Sequence, residues 1–208
     1  MTEHAVSEPF HEFARQCEAN RFGMLVFLAS EIMLFGGIFA AAMVLRLQHQ
    51  AEYQAASGHM KLWLGTANTA ILLTSSLLAA LAMEATRGGY PRRAGCALGG
   101  TVLLALVFLG IKGAEYYLDY SEGLLPGAAN AHFENRVEQL FMNLYFVGTG
   151  LHAVHVTVGI GLLTVTALLP HARQDRSAIL IGNAALYWHI VDIVWIFLYP
   201  TIYLAGVK

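Results

Sequence analysis

The sequence predicts an all-α integral membrane protein in which five helices cross the bilayer and form one bundle. Of its 208 residues, 57% are apolar and only 12% are charged, whereas a soluble domain carries about 25% charged residues. Such a chain has too few polar side chains to cover a folded surface in water. The formal charge of −2 and the absence of a basic run exclude a typical nucleic-acid-binding protein.

Five stretches are long and apolar enough to cross a bilayer core about 30 Å thick, which takes roughly 20 helical residues. They lie at 22–45, 62–83, 95–118, 139–169 and 179–204. None shows the alternating pattern of a membrane β-strand, so each is predicted to be a helix. The expected organisation is a single transmembrane domain at 22–208 that follows a cytoplasmic tail at 1–21.

The first span carries one ionisable residue, Glu31, near its middle. No basic residue is close to it in the sequence, so its carboxyl group needs a partner from another helix, a lipid head group or a bound proton. Small residues at a spacing of four predict close helix approaches. They are Gly36 with Ala40, Gly37 with Ala41 and, on the third span, Gly95 with Gly99.

The second and third spans are joined by a predicted turn at 85–94, which contains Gly88, Gly89 and Pro91. The second span carries Asn68 among several hydroxyl residues, and the third carries Lys112 and Glu115 towards its end. The following connection, 119–138, is longer than a turn requires and is acidic. It is predicted to be either a solvated loop or a contact with another molecule.

The last two spans carry paired polar residues near their middle. His152 and His155 on the fourth span, and His189 and Asp192 on the fifth, are three residues apart and therefore share a helix face. Tyrosine and tryptophan residues near the span ends are predicted to anchor the helices at the membrane surface. They are Trp63, Tyr90, Tyr116, Tyr117 and Tyr203.

Three functional interpretations of the membrane-embedded polar residues are open. Glu31, Glu115 and the two pairs could hold metal, as carboxylate and His residues do in di-iron helix bundles, although Glu115 lies far from the midplane group. His152 and His189 could ligate a haem. A transporter or proton channel could be built around Glu31, but the sequence has no inverted repeat.

The structural interpretation is that these groups satisfy one another across helix contacts and tie the bundle together. We favour it for His152, His155, His189 and Asp192, so neither a catalytic residue nor a metal ligand is expected.

The orientation follows from the distribution of Lys and Arg. The tail and the second and fourth loops hold seven: Arg15, Arg21, Arg87, Arg92, Arg93, Arg173 and Arg176. The opposite side holds Arg46, Lys61, Arg136 and Lys208. The richer side is expected to be cytoplasmic, which places the N-terminus inside and the C-terminus outside. Both cysteines, Cys17 and Cys96, then lie on the reducing side and are expected to be free thiols.

Each of the five spans also contains a motif typical of one family. The motifs are ASEIMLFGGI at 29–38, NTAILLTSSLLA at 68–79, KGAEYY at 112–117, QLFMNLYFVGTGLHAVHVTVG at 139–159 and YWHIVDIVWIFLYPTIYL at 187–204. In this order they resemble the subunit III family of haem-copper cytochrome c oxidases, over nearly the whole chain from Phe22. The resemblance is to the short, five-helix bacterial form, which lacks two N-terminal helices of the mitochondrial version.

The resemblance implies an accessory subunit of a proton-pumping terminal oxidase in the bacterial cytoplasmic membrane, with its N-terminus inside and its C-terminus in the periplasm. Such a subunit has no active site of its own. It binds neither haem nor copper, which belong to partner subunits, packs on the catalytic subunit I, holds phospholipid and supports proton uptake. Glu31 would be the family's embedded acid. The family's structural polar network would comprise Glu115, His152, His155, His189 and Asp192, and we assign Asn68 to the same network. Related subunits serve quinol oxidases and accompany nitric-oxide reductases, and these alternatives stay open.

Overall fold

The computed structural model of the chain describes residues 13–126, 133, 135–168 and 174–206. Its helices are α1 (Phe13–Gln48), α2 (Gln50–Ser57), α3 (Leu62–Arg87), α4 (Pro91–Ser121), α5 (Arg136–Leu168) and α6 (Gln174–Ile202). The described ranges contain no strand. All of these helices except α2 contain a stretch long and apolar enough to cross a membrane, so the predicted fold class is confirmed.

Some predicted features lie outside the described residues. They are positions 1–12 of the tail, most of the 127–134 part of the acidic connection, the 169–173 connection and the last two residues, 207 and 208. The side chain of Cys17 is outside the description as well. Cys96 is a free, exposed cysteine.

The core is a ring of four helices, in which α3 packs against α4, α4 against α5, α5 against α6, and α6 against α3. Helix α1 packs against the outside of this ring, where it contacts α5 and α6. We call the end of the bundle at which α4 and α6 end, and α3 and α5 begin, the C-terminal face. The two largest fully buried side chains are Trp188 and Trp195. Both belong to α6, which therefore contributes the largest side chains to the core.

Several helix ends differ from the sequence-based prediction, and one short helix was not predicted. Helix α1 begins at Phe13, nine residues before the predicted span, because polar residues can extend a helix beyond the membrane. The short helix α2 was not predicted, since its composition is polar. It is held by Tyr53, whose hydroxyl donates to the backbone oxygen of Thr201 at 2.9 Å, and by Ser57, whose hydroxyl donates to the backbone oxygen of Ile202 at 2.5 Å.

The predicted turn between α3 and α4 is three residues long, since α3 ends at Arg87 and α4 begins at Pro91. Gly89 adopts a φ of 76°, a conformation that glycine adopts without steric cost. Pro91 then occupies the first turn of α4, where its missing N–H leaves no helical hydrogen bond unmade.

The predicted close approaches at Gly36, Gly37, Gly95 and Gly99 are not made within the chain, because a Cβ added at any of these glycines would meet nothing within 4 Å. The tight approach of α5 to α6 occurs at Gly159 instead. A Cβ there would lie 2.8 Å from the ring of Trp188. Small-residue spacing alone therefore did not identify which faces pack together.

A substitution at Gly159 tests the packing between α5 and α6. Gly159→Ala is expected to destabilise the chain by about 1–2 kcal/mol, because the buried Trp188 ring must move to admit the methyl group. Gly161→Ala on the same helix is the matched control, since its Cβ would meet nothing within 4 Å. Unfolding in mixed micelles, followed by tryptophan fluorescence, measures both variants. Equal stability of the two variants would contradict the packing described.

Candidate functional site

Glu31 is paired with a histidine from another helix. Its Oε2 lies 2.6 Å from Nε2 of His155 on α5. The side chains are 17% and 14% exposed, respectively, so the pair lies at the flank of the bundle where α1 leans on the ring. The sequence left the partner of Glu31 open between a helix, a lipid and a proton, and the structure places a histidine there.

The hydrogen bonds fix how many protons this pair holds. Nδ1 of His155 lies 2.7 Å from the backbone oxygen of Leu151, and because a carbonyl oxygen only accepts, Nδ1 must carry a hydrogen. One further proton must then lie between Nε2 and the Glu31 carboxyl group. The pair is either imidazolium with carboxylate or imidazole with carboxylic acid. Its net charge is zero in both states, which suits a membrane interior.

Neighbouring aromatic residues hold this histidine in place. The ring of Phe35 makes an edge contact with the His155 ring at a centroid distance of 5.2 Å. The Tyr187 hydroxyl donates to the backbone oxygen of His155 at 3.1 Å. The pair is therefore fixed by residues of α1, α5 and α6 together.

Glu115 belongs to a different group of charged residues, at the C-terminal face. Nζ of the buried Lys112 donates to Oε2 of Glu115 at 2.9 Å, to the Tyr203 hydroxyl at 2.8 Å and to the Tyr145 hydroxyl at 3.3 Å. The Tyr203 hydroxyl donates in turn to Oε1 of Glu115 at 2.7 Å. All three N–H groups of the ammonium ion thus have acceptors, which satisfies a charged lysine.

The same group extends to the surface through Asp119. The Tyr145 hydroxyl donates to its Oδ2 at 2.9 Å, and Lys61 approaches its Oδ1 at 3.4 Å. Lys61 also pairs with Glu122 at 2.9 Å. We call these residues the ion-pair cluster: Lys61, Lys112, Glu115, Asp119, Glu122, Tyr145 and Tyr203. It joins the ends of α3, α4, α5 and α6.

Lys61, just before α3, and Tyr203, just after α6, lie outside the membrane-spanning helices, and their ionisation agrees with these bonds. Partial burial of Lys61 opposes its charge, but its hydrogen bond to Glu122 and the charge of Asp119 outweigh this effect and raise its pKa. Burial raises the pKa of Tyr203 well above its ordinary value. The Tyr203 hydroxyl therefore keeps the proton that it donates to Glu115.

The acidic connection is shorter than predicted, because its two ends are helical. Asp119 is 1% exposed and lies in the last turns of α4, and Glu138 is 7% exposed and lies in the first turn of α5. Tyr116 and Tyr203 also differ from their predicted role as surface anchors. Tyr203 is buried in the ion-pair cluster, and the Tyr116 hydroxyl lies 2.6 Å from that of Thr149.

His189 makes a contact between α6 and α3. Its Nδ1 lies 2.6 Å from the Ser76 hydroxyl. Further towards the C-terminal face, Nε1 of Trp195 donates to the Thr69 hydroxyl at 3.0 Å. The hydroxyl residues of α3 thus serve as partners for polar groups of α6, a role that the sequence did not specify.

Asn68, His152 and Asp192 do not satisfy one another as expected. They are 0%, 0% and 3% exposed, and their side-chain polar atoms have no hydrogen-bond partner among the described residues. The Ser76 hydroxyl interacts with the Asp192 carboxyl group but makes its short bond to His189. His152 and His155 lie a turn apart, and three residues correspond to 300° of rotation. His155 therefore faces α1, while His152 faces the bundle interior.

The residues that the metal and haem interpretations would bring together each have a different partner in the structure. Glu31 is bonded to His155, Glu115 to Lys112 and His189 to Ser76. Within the part of the chain that the structure describes, no three His, Cys, Asp or Glu side chains form a metal-like group. What the bundle positions instead are a neutral, proton-sharing pair at its flank and a charged cluster at one end.

The chain is similar to known proteins over nearly its whole length. A family model described as cytochrome c oxidase subunit III matches residues 4–207. The chain is 34% identical over 194 residues to cytochrome c oxidase subunit 3 of Triticum aestivum, covering 89% of this chain and 68% of that protein. It is 31% identical over 187 residues to cytochrome c oxidase subunit 3 of Thermostichus vulcanus, covering 88% and 85%, respectively.

A ubiquinol oxidase subunit is similar to the same extent. Cytochrome bo(3) ubiquinol oxidase subunit 3 of Pseudomonas aeruginosa is 29% identical over 199 residues, which covers 94% of this chain and 90% of that protein. Subunits named for cytochrome c oxidase and for ubiquinol oxidase are therefore both similar to this chain over most of its length. The match across five membrane-spanning helices and residues 4–207 shows that the chain belongs to the cytochrome c oxidase subunit III family.

Proposed function

We propose that the chain is the accessory subunit of a proton-pumping haem-copper terminal oxidase, packs on its catalytic subunit I and supports proton uptake there. The observation that carries the proposal is the family match over residues 4–207, joined by the Glu31–His155 pair. Haem and copper would be held by partner subunits. The chain would supply a fixed helical surface and a membrane-embedded proton pair.

The exposed surface of α1 supports association with other molecules in the membrane. This helix presents large apolar side chains away from the bundle, among them Phe22, Met33 and Leu47, which are 70%, 79% and 76% exposed. Exposed apolar area of this extent must be covered by lipid or by another membrane helix. We propose that both occur in the assembled oxidase.

A groove beside α1 is the proposed site for a structural phospholipid. It is lined by apolar side chains of α1, α5 and α6, with Tyr53 of α2 and Tyr145 at its polar end: Ile38, Phe39, Ala42, Tyr53, Phe141, Leu144, Tyr145, Leu198, Thr201 and Ile202. An acyl chain would bury apolar surface there at about 0.8 kcal/mol for each CH₂ group.

We also propose the location and orientation of the chain. It would lie in the bacterial cytoplasmic membrane with its N-terminus inside, because Arg87, Arg92 and Arg93 at the α3–α4 turn lie opposite Arg46 and Lys61. The C-terminal face, with its ion-pair cluster, would then be periplasmic.

The electron donor has a second candidate. The Pseudomonas aeruginosa relative is a ubiquinol oxidase subunit, and it is covered over 90% of its length. A quinol oxidase is therefore the alternative assembly for this chain. The donor would be set by the partner subunits and leaves no mark on the contacts described here.

The decisive experiment is purification of the chain, tagged after Lys208, in mild detergent. We expect a large second polypeptide to co-purify, and a reduced-minus-oxidised spectrum to show haem bands that are lost when that polypeptide is removed. The haem type would narrow the choice of donor. Haem or copper that stays with the isolated chain in stoichiometric amount would contradict the accessory role, as would a chain that purifies alone.

A further inference from the structure

The interior of the four-helix ring contains polar side chains that belong neither to the ion-pair cluster nor to the Glu31–His155 pair. Asn68, His152 and Asp192 are each at most 3% exposed, and both polar side-chain atoms of each lack a hydrogen-bond partner among the described residues. Leaving one buried polar group unbonded costs about 1–3 kcal/mol. Three such residues on three helices therefore indicate a ligand that bonds them.

Helix contacts place His152 and Asn68 at one level of the bundle. The His152 ring lies 5.0 Å from the Trp195 ring and 5.6 Å from the Phe108 ring, measured between centroids. Trp195 is bonded to Thr69 at 3.0 Å, which is adjacent to Asn68 in the sequence. His152 and Asn68 thus lie at nearly the same height along the bundle as Trp195.

Asp192 lies close below this height on the same face of α6. It precedes Trp195 by three residues, which corresponds to about 4.5 Å along the helix axis. Its carboxyl group interacts with the Ser76 hydroxyl, and Ser76 follows Asn68 by eight residues on α3, which corresponds to about 12 Å along the helix axis. About four hydrogen bonds of about 2.8 Å, made end to end, cover this distance.

The mixture of donors and acceptors selects the kind of ligand. Asn68 offers two N–H donors and an acceptor oxygen, a neutral His152 offers one donor and one acceptor, and Asp192 offers carboxyl oxygens. A metal ion could use only part of this set, and an anion would face the Asp192 carboxyl group. Water both donates and accepts, and buried waters typically make about three such bonds.

The indole N–H of Trp188 extends the same set. It is fully buried, has no partner among the described residues and precedes Asp192 by four residues on one face of α6.

We propose that Asn68, His152 and Asp192 line an internal hydration site, in which ordered water molecules bridge α3, α5 and α6. The rings of Phe108 and Trp195 pack against His152 and form part of the wall of the site. It gives the polar residues of the last helix a role that is separate from the Glu31–His155 pair at the flank.

The test is an electron cryomicroscopy map of the detergent-purified assembly that contains this chain, at a resolution that shows ordered water. We expect at least two density peaks within hydrogen-bond distance of Asn68, His152 or Asp192. In Asp192→Leu at least one peak should be lost, with the helices in place. Ser75→Ala is the control, since Ser75 is buried on the same face of α3 but bonds to the backbone of Thr101; it should keep every peak.

A second measurement covers the case in which Asp192→Leu does not assemble. Hydroxyl radicals generated by X-rays from internal water oxidise adjacent side chains, so buried Phe108 and Trp195 should be labelled in the native chain and less in Asn68→Leu. Direct contacts among the three side chains with no density between them would overturn the proposal, as would labelling that is unaffected by Asn68→Leu. The result is independent of the partner subunits, because the site lies within one chain.

Discussion

Lys112→Met is expected to destabilise the chain by about 3–5 kcal/mol, the cost of removing one partner from a buried ion pair. Lys112 is 3% exposed and Glu115 is 1% exposed, so water cannot replace the lost ammonium group. The Tyr203 and Tyr145 hydroxyls donate to Glu115 and Asp119, and both also accept from Lys112. The substitution therefore leaves the carboxyl groups of Glu115 and Asp119 without the nearby positive charge of Lys112.

Aromatic rings around Lys112 increase the expected effect. Its Nζ lies 4.8 Å from the Tyr145 ring centroid and 5.5 Å from that of Tyr203, and Trp195 and Tyr116 are at 5.6 Å and 5.2 Å. A cation over a desolvated ring gains about 2 kcal/mol. Methionine keeps the volume of the side chain but loses these attractions along with the hydrogen bonds.

Unfolding in mixed micelles, followed by tryptophan fluorescence, measures this effect. Lys61→Met is the matched control within the ion-pair cluster. It should cost less than Lys112→Met, because Lys61 and Glu122 are 25% and 49% exposed and the contact of Lys61 with the buried Asp119 is long, at 3.4 Å. The double variant Lys112→Met with Glu115→Leu should recover part of the loss, since it removes the uncompensated carboxylate. A Lys112→Met variant as stable as Lys61→Met would show that the buried ion pair does not hold the helix ends.

The membrane fold could be predicted from composition and span length alone. Twenty apolar residues in a row leave the backbone no alternative to a helix in lipid, and each of the five predicted spans lies largely within one helix. The short helix α2 could not be predicted this way, because its position depends on tertiary hydrogen bonds from Tyr53 and Ser57 to the end of α6.

The polar residues could be identified from the sequence, but their partners could not. Glu31 was singled out because a lone acid in a membrane span requires an explanation, yet His155 is 124 positions away and no local pattern connects them. Asp119 and Tyr203 were placed at the surface because they lie near span ends. Helix α4 extends to Ser121, beyond the predicted span, and buries Asp119. Tyr203 directly follows the end of α6 at Ile202 and is buried by its bonds to Lys112 and Glu115.

The resemblance to the family depended on motifs in the right order, and the comparisons confirmed it over residues 4–207. The small-residue pattern was a poorer guide. Gly36 and Gly37 are exposed on α1, while the close approach uses Gly159, which the spacing did not single out. Small residues at a spacing of four show only that a helix face permits close packing. Which face packs depends on the side chain of the neighbouring helix, and at Gly159 this is the ring of Trp188.

His155→Leu is the second substitution for which a large effect is expected, because it leaves Glu31 in the membrane without its partner. Loss of a hydrogen bond to a charged or proton-sharing group costs about 3 kcal/mol when the remaining group is not rehydrated. The side chain of Glu31 is only 17% exposed, so water cannot fully replace the lost partner. The variant is therefore expected to accumulate at a lower level and to unfold more readily.

Glu31→Gln separates the role of the charge from that of the bond. Its amide can still donate to Nε2 of a neutral His155, so assembly should be retained and stability should change by at most about 1 kcal/mol. Glu31→Leu combined with His155→Leu removes both groups and should be more stable than His155→Leu alone. Unfolding in mixed micelles and the amount of chain in the assembly measure all three variants. If Glu31→Gln alone prevents assembly, the ionised carboxylate is required for folding, and the pair is a structural salt bridge instead of a shared-proton site.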